Sequence, residues 1–144
     1  GDSSGSLKYV RVWHGGAILG AAAGERAGDA VALNSAGTRL ALGAPGDGDH
    51  SGSDAGRVRI YDYDAITEAW TEVAEIDGED AGDTFGFAVS LSGEGGRLAV
   101  GAPGNGDQDS SGWARGRVKV YECSPLPCVQ LGGDIDGEGD DDDR

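Results

Sequence analysis

The sequence predicts an all-β fold assembled from four-stranded antiparallel meanders, with about two and a half copies of one unit along the chain. Three observations carry this prediction. Residues 18–45 return as residues 76–103 at a fixed offset of 58, with 15 of 28 positions identical. Self-similarity over such a period marks supersecondary units stacked on their neighbours. Apolar residues recur at period two in short runs, as half-buried strands require. The 28 glycines gather between those runs, where turns need positive φ, and they lack the three-residue period of collagen.

The chain opens inside the pattern. Val10-Arg-Val-Trp13 returns as Val58-Arg-Ile-Tyr61 and again as Val118-Lys-Val-Tyr121, so residues 1–24 read as the outer half of a preceding unit. The small apolar stretch Ala17 to Ala23 aligns with a strand end and loop at Glu75 to Ala81 and is not a helix. Residues 25–80 form the first complete unit and 81–139 the second. Ile135-Asp-Gly-Glu138 repeats Ile76-Asp-Gly-Glu79, and residues 140–144 are the acidic start of a further repeat.

Within the second unit, Phe85 to Ser92 alternates as a strand, with Phe85, Phe87, Val89 and Leu91 on one face and small residues on the other. Gly93-Glu-Gly-Gly96 is a hairpin turn, and Arg97 to Ala102 is a second strand closed by Pro103. A Gly/Asp/Ser loop leads to Arg117 to Glu122, and a last hairpin returns as Cys128 to Ile135. Two nearly apolar inner strands and two alternating outer ones describe a β-propeller blade.

Charge narrows the function. There are 26 acidic against 11 basic residues, a net charge of −15, which repels nucleic acid and anionic membrane. No apolar run approaches the ~20 residues of a membrane span. The chain has no Met and starts at Gly1, which reads as a mature or trimmed product. Asp140 to Asp143 is a solvated acidic loop in one reading and an interaction tail in the other.

Phe85-Gly86 followed by Gly101-Ala102-Pro103 resembles the FG-GAP repeat, and Gly43-Ala44-Pro45 supplies the second half of the motif in the first copy. That family builds the β-propeller of integrin α-subunits and of many bacterial and algal extracellular proteins. The first copy departs from it, with Ala27-Gly28 in place of Phe-Gly, so the aromatic anchor is missing at that junction. The resemblance implies an extracellular location and a calcium loop in the hairpin before the Gly-Ala-Pro strand. Here that hairpin reads Ser35-Ala-Gly-Thr38 or Ser92-Gly-Glu-Gly-Gly96, which cannot wrap an ion.

The loop after Gly-Ala-Pro offers another set of oxygens. Asp47, Asp49 and Ser51 stand at positions one, three and five of a calcium-loop pattern with Asp54 nearby, and Asn105, Asp107 and Asp109 repeat the spacing. Carboxylates that would complete the shell are lacking, because Ala55 and Val58 hold those places. Calcium binding and a plain Asx-turn loop are the two readings, and the melt is expected to ignore EDTA.

Cys123 and Cys128 flank Ser-Pro-Leu-Pro at a hairpin tip. They read as a disulfide, and hence an oxidising compartment, with half a metal site as the alternative. His14 and His50 are the only imidazoles and no nucleophile elbow is present, so no enzyme is expected. Trp13 and Trp70 fall in strand-like stretches and are expected to pack between blades, while Trp113 lies in a loop where a sugar ring would stack on it.

The sequence thus reads as a non-catalytic extracellular propeller module for adhesion or structural assembly. The runner-up is a carbohydrate-binding propeller using Trp113, assisted by calcium. A hydrolase would need an active site from further parts of a longer chain. Partners are further repeats of a longer chain or other copies, joined head to tail as a ring or filament, or a protein or glycan ligand. The chain is not expected to be a self-sufficient monomer, and the end at Asp136 to Arg144 is expected to lie against a neighbour's first blade.

Overall fold

The computed structural model describes residues 16–20, 24–46, 55–80, 82–104 and 115–137. The described residues form strands and turns. β1 (Ala30–Leu33), β2 (Arg39–Ala44), β3 (Arg57–Asp64) and β4 (Ala69–Asp77) make one antiparallel meander in chain order. β5 (Ala88–Leu91), β6 (Arg97–Ala102), β7 (Arg117–Glu122), β8 (Val129–Gln130) and β9 (Ile135–Asp136) make the second, with β8 and β9 both pairing β7.

Local chemistry sets each turn. The Asn34 side-chain oxygen accepts from the amides of Thr38 (2.8 Å) and Arg39 (2.9 Å), closing the β1–β2 hairpin. Asp64 accepts from the Ile66 amide at 2.9 Å at the β3–β4 turn. Pro45 and Pro103 follow β2 and β6 directly, where a residue without an N–H ends the ladder.

The core lies between the two sheets. Ala41, Val58 and Ile60 of the first sheet meet Leu98, Val100, Ala102, Tyr121 and Cys123 of the second, with Phe85 among them. Cys123 and Cys128 are bonded to each other, their Cα atoms 4.0 Å apart, and Cys123 is fully buried.

Three expectations are corrected. The alternation predicted from Phe85 onward starts only at Ala88. Thr84 and Gly86 both have positive φ, and the Phe87 amide donates to the Thr84 carbonyl. That turn reverses the period, so Phe85 is 3% exposed and Phe87 53%. The strand predicted at Cys128 to Ile135 is broken into β8 and β9 at Gly132-Gly133, where Gly132 has φ 77° and cannot continue a ladder. Trp70 does not pack between the sheets. It pairs in register with Tyr63 across the outer β3–β4 hairpin, ring centroids 5.2 Å apart.

Candidate assembly interface

The junction between the sheets is built around the turn at 84–87. The Phe85 amide donates to the Ala55 carbonyl at 3.0 Å, and Gly56 and Phe85 form a parallel bridge. The ring drops into the core and meets Tyr121 edge-on, centroids 6.3 Å apart, a favoured aromatic geometry. Burying that ring contributes on the order of 3 kcal/mol beyond an alanine.

Small residues make the approach possible. A methyl at Gly43 would run into the Gly86 carbonyl oxygen, and one at Gly56 or Gly78 into Phe85 or Ala55 backbone. The Gly-Ala-Pro strand is therefore a docking floor: its glycine admits the backbone of the following Phe-Gly turn. Gly86 itself needs its φ of 95° to make the turn.

A polar clasp lies at the hairpin end of the junction. Arg39 forks onto Asp62 at 2.6 and 2.8 Å and donates its remaining nitrogen to the carbonyls of Gly95 (3.0 Å) and Cys123 (3.2 Å). The Asp62 hydrogen bond outweighs burial and holds the Arg39 pKa above its usual value. Ser35 adds amide and hydroxyl bonds to the Gly93 carbonyl at 2.9 and 2.8 Å.

Charges inside the sheets are paired. Glu25 and Arg59 lie 2.7 Å apart, both buried. Burial works against the Arg59 charge, but hydrogen bonding and attraction from Glu25, aided by Tyr61 and Glu72, raise its pKa overall. Arg57 sits 2.8 Å from Glu75 and 2.9 Å from Asp77, and Arg117 repeats this with Asp136 and Asp134. Lys119 bonds Glu79 at 2.8 Å. Burial, with the fields of Glu79 and Asp134, pushes the Tyr121 hydroxyl up to about 12.

Glu79, Asp80 and Asp83 form an acidic cluster that sequence reasoning did not single out. Two of its three carboxylates are engaged within the chain: Lys119 holds Glu79, and Asp83 accepts the Asp80 amide at 3.0 Å. The predicted calcium ligands Asp47, Asp49, Ser51, Asp54, Asn105, Asp107 and Asp109, and the stacking residue Trp113, lie outside the described residues, as do Trp13, His14 and His50. Cys123 and Cys128 are brought together as expected. Arg39, the residue that spans the two sheets, was missed. Its signal was the pairing of Arg39 with Asp62 and of Arg97 with Glu122, the same register pair in both units.

No helix among the described residues is long and apolar enough to cross a membrane. No curated protein matches the chain. A family model does match residues 70–117, which is 48 of 144 positions and runs from β4 through the junction to the start of β7. That model is the FG-GAP repeat, whose repeats form β-propellers; the match spans a third of the chain, and the two antiparallel meanders are β-propeller blades.

Proposed function

We propose that the chain is a non-catalytic, extracellular β-propeller module that works by protein–protein contact, in adhesion or structural assembly, and associates with further repeats. The observation that carries this reading is the pair of apolar side faces left open. Val31 and Leu33 are exposed on the first blade, whereas their counterparts Val89 and Leu91 pack against the core. Phe87, Val118 and Ile135 are exposed on the far side of the second blade. Contiguous apolar faces of this kind normally meet a partner.

The remaining features agree with such a role. The buried cations of the first blade are committed to acids of that blade, Arg59 to Glu25 and Arg57 to Glu75 and Asp77. A Cys123–Cys128 disulfide suits an oxidising compartment. In this reading the module needs no cofactor, and its Asp/Asn loops serve as polar connections. Sedimentation at about 0.15 M salt, where charge repulsion is screened beyond roughly 8 Å, tests it. Concentration-dependent association at micromolar levels is expected, and a monodisperse monomer there would contradict assembly through these faces.

A further inference from the structure

At the hairpin end of the sheets, opposite the loops that follow Pro45 and Pro103, a polar cleft of about 260 Å³ opens between the two blades. The β1–β2 hairpin contributes Asn34 and Thr38, the end of β3 contributes Asp62 and Tyr63, and the second blade contributes Glu94 and Ser124. Drug-sized sites run to roughly 300–1,000 Å³, so this one suits a ligand of a single ring. Arg39 fixes its geometry: the fork on Asp62 at 2.6 and 2.8 Å and the bonds to the Gly95 and Cys123 carbonyls hold the walls of both blades in place. Each Asp62 oxygen receives one of those bonds and can accept another. The hydroxyls are set to donate. Thr38 Oγ1 accepts from Asn34 Nδ2 at 3.1 Å and Ser124 Oγ accepts from Arg39 at 3.4 Å, so each keeps its own proton for a ligand. Glu94 is exposed at the rim, and half-buried Tyr63 has its ring held by Trp70, centroids 5.2 Å apart.

The second blade shows which of these groups the blade plan requires. The Arg39–Asp62 pair returns there as Arg97–Glu122. Asn34, Thr38 and Tyr63 do not return: Ser92, Gly96 and Cys123 stand in their places. The Cys123–Cys128 disulfide closes the outer hairpin that Tyr63 and Trp70 close in the first blade. A blade can therefore be built without the ring, the amide and the hydroxyl, and in the first blade all three line one cleft.

We infer that this cleft binds a single neutral pyranose unit of a glycan. A pyranose presents polarised C–H groups on one face, which the negative face of an aromatic ring attracts, and hydroxyls around its edge that each donate and accept. Tyr63 beside the mixed donors and acceptors of Asn34, Thr38, Asp62, Glu94 and Ser124 matches that pattern. Charged ligands fit worse, because Asp62 and Glu94 repel an anion and the Arg39 guanidinium repels a cation. The inference goes beyond the assembly reading, which needs no glycan, and places the sugar away from Trp113.

Amide NMR titration of the intact chain with the methyl glycosides of glucose, galactose, mannose, fucose and N-acetylglucosamine tests it. At least one sugar is expected to shift Thr38, Tyr63, Glu94 and Ser124 together, with a Kd in the millimolar range usual for one ring with few buried atoms. Glu94→Ala is expected to keep the melting temperature and weaken binding roughly tenfold, the effect of losing a hydrogen bond to a charged group. Tyr63→Phe keeps the ring and should bind within a few-fold of wild type, whereas Tyr63→Ala should abolish binding. Manno- and gluco-oligosaccharides, as polysaccharide fragments, and a high-mannose glycopeptide, as a protein glycan, then distinguish the source of the unit; binding of either supports the site.

No shift of these amides at tens of millimolar sugar would overturn the inference, as would binding indifferent to both Glu94→Ala and Tyr63→Ala. Shifts confined to Trp113 would give the sugar to that loop, and a trilysine peptide that shifts the cleft amides where no sugar does would give the cleft to a cationic partner; each result overturns it. Association in sedimentation without sugar binding keeps the assembly reading and refutes this site alone.

Discussion

In the first blade, Glu25 and Arg59 meet at 2.7 Å with both side chains shut away from water. In the second, the corresponding residues are Asp83 and Lys119, and Lys119 turns to the exposed Glu79 at 2.8 Å while Asp83 accepts the Asp80 amide. The repeat keeps a cation on its third strand and changes the acid that answers it. One blade therefore has an all-or-none charge pair at its heart, and the other a half-solvated network. The outer edge differs in the opposite sense, because β4 is a continuous nine-residue strand whereas β8 and β9 are two residues each, next to a disulfide.

The largest contrast follows from the buried pair. Glu25→Ala strands the Arg59 charge and is expected to cost about 3–5 kcal/mol. Lys119→Ala releases Glu79, which is exposed, and Asp134, which Arg117 still holds, and about 1 kcal/mol is expected. Urea denaturation of both variants measures the difference; equal losses would mean that the two networks are equivalent.

Alkaline pH separates the blades next. Burial pushes the Tyr121 hydroxyl from its ordinary 10.0 up to about 12 in the folded chain. Folding then favours the neutral phenol, so its contribution is whole below pH 10 and is lost as pH rises toward 12. The full loss is roughly 2–3 kcal/mol. Tyr61 is also raised by burial, but Arg59 opposes the shift. Tyr121→Phe should flatten the stability profile between pH 10 and 12 more than Tyr61→Phe does, and a steeper effect from Tyr61 would reverse the comparison.

Much of the blade plan could be read from period and repeat alone, because hairpin turns and Gly-Ala-Pro strands carry their chemistry locally. The face of Phe85 could not. Period-two reasoning assumes continuous extended backbone, and the positive φ of Thr84 and Gly86 breaks that assumption just where the ring leaves the sheet. A second Phe at 87 made the false pattern look better. The break at Gly132-Gly133 was visible as two adjacent glycines, yet the flanking Val129 and Ile135 suggested a single strand. The interblade reach of Arg39 depends on the stacking distance between blades, which no local pattern encodes.

The disulfide gives a smaller effect, confined to the second blade. Intact mass should be lighter than that of the reduced protein by two hydrogens, with no alkylatable thiol. Replacing both cysteines by Ser is expected to cost about 2 kcal/mol for so short a loop. Two free thiols in the untreated protein would remove the support for an oxidising compartment. Smallest of all is the response to chelation: EDTA and Asp49→Ala are each expected to leave the melting temperature where it was, and a drop with both would make the Asp47 to Asp54 loop an ion site.

The account turns on Phe85 as the residue that makes two blades one body. Hydrogen exchange of the wild-type chain and of Phe85→Ala tests this directly, followed at the amides of β2, β3, β6 and β7 and at Phe85 itself. The wild type is expected to protect the Phe85 amide along with the strands, since it donates to Ala55, and to open both blades in a common event. In Phe85→Ala the two sets of strand amides should exchange at separate rates. A Phe85 amide that exchanges as fast as a free loop while both blades stay protected, or a variant in which the blades still open together, would contradict it.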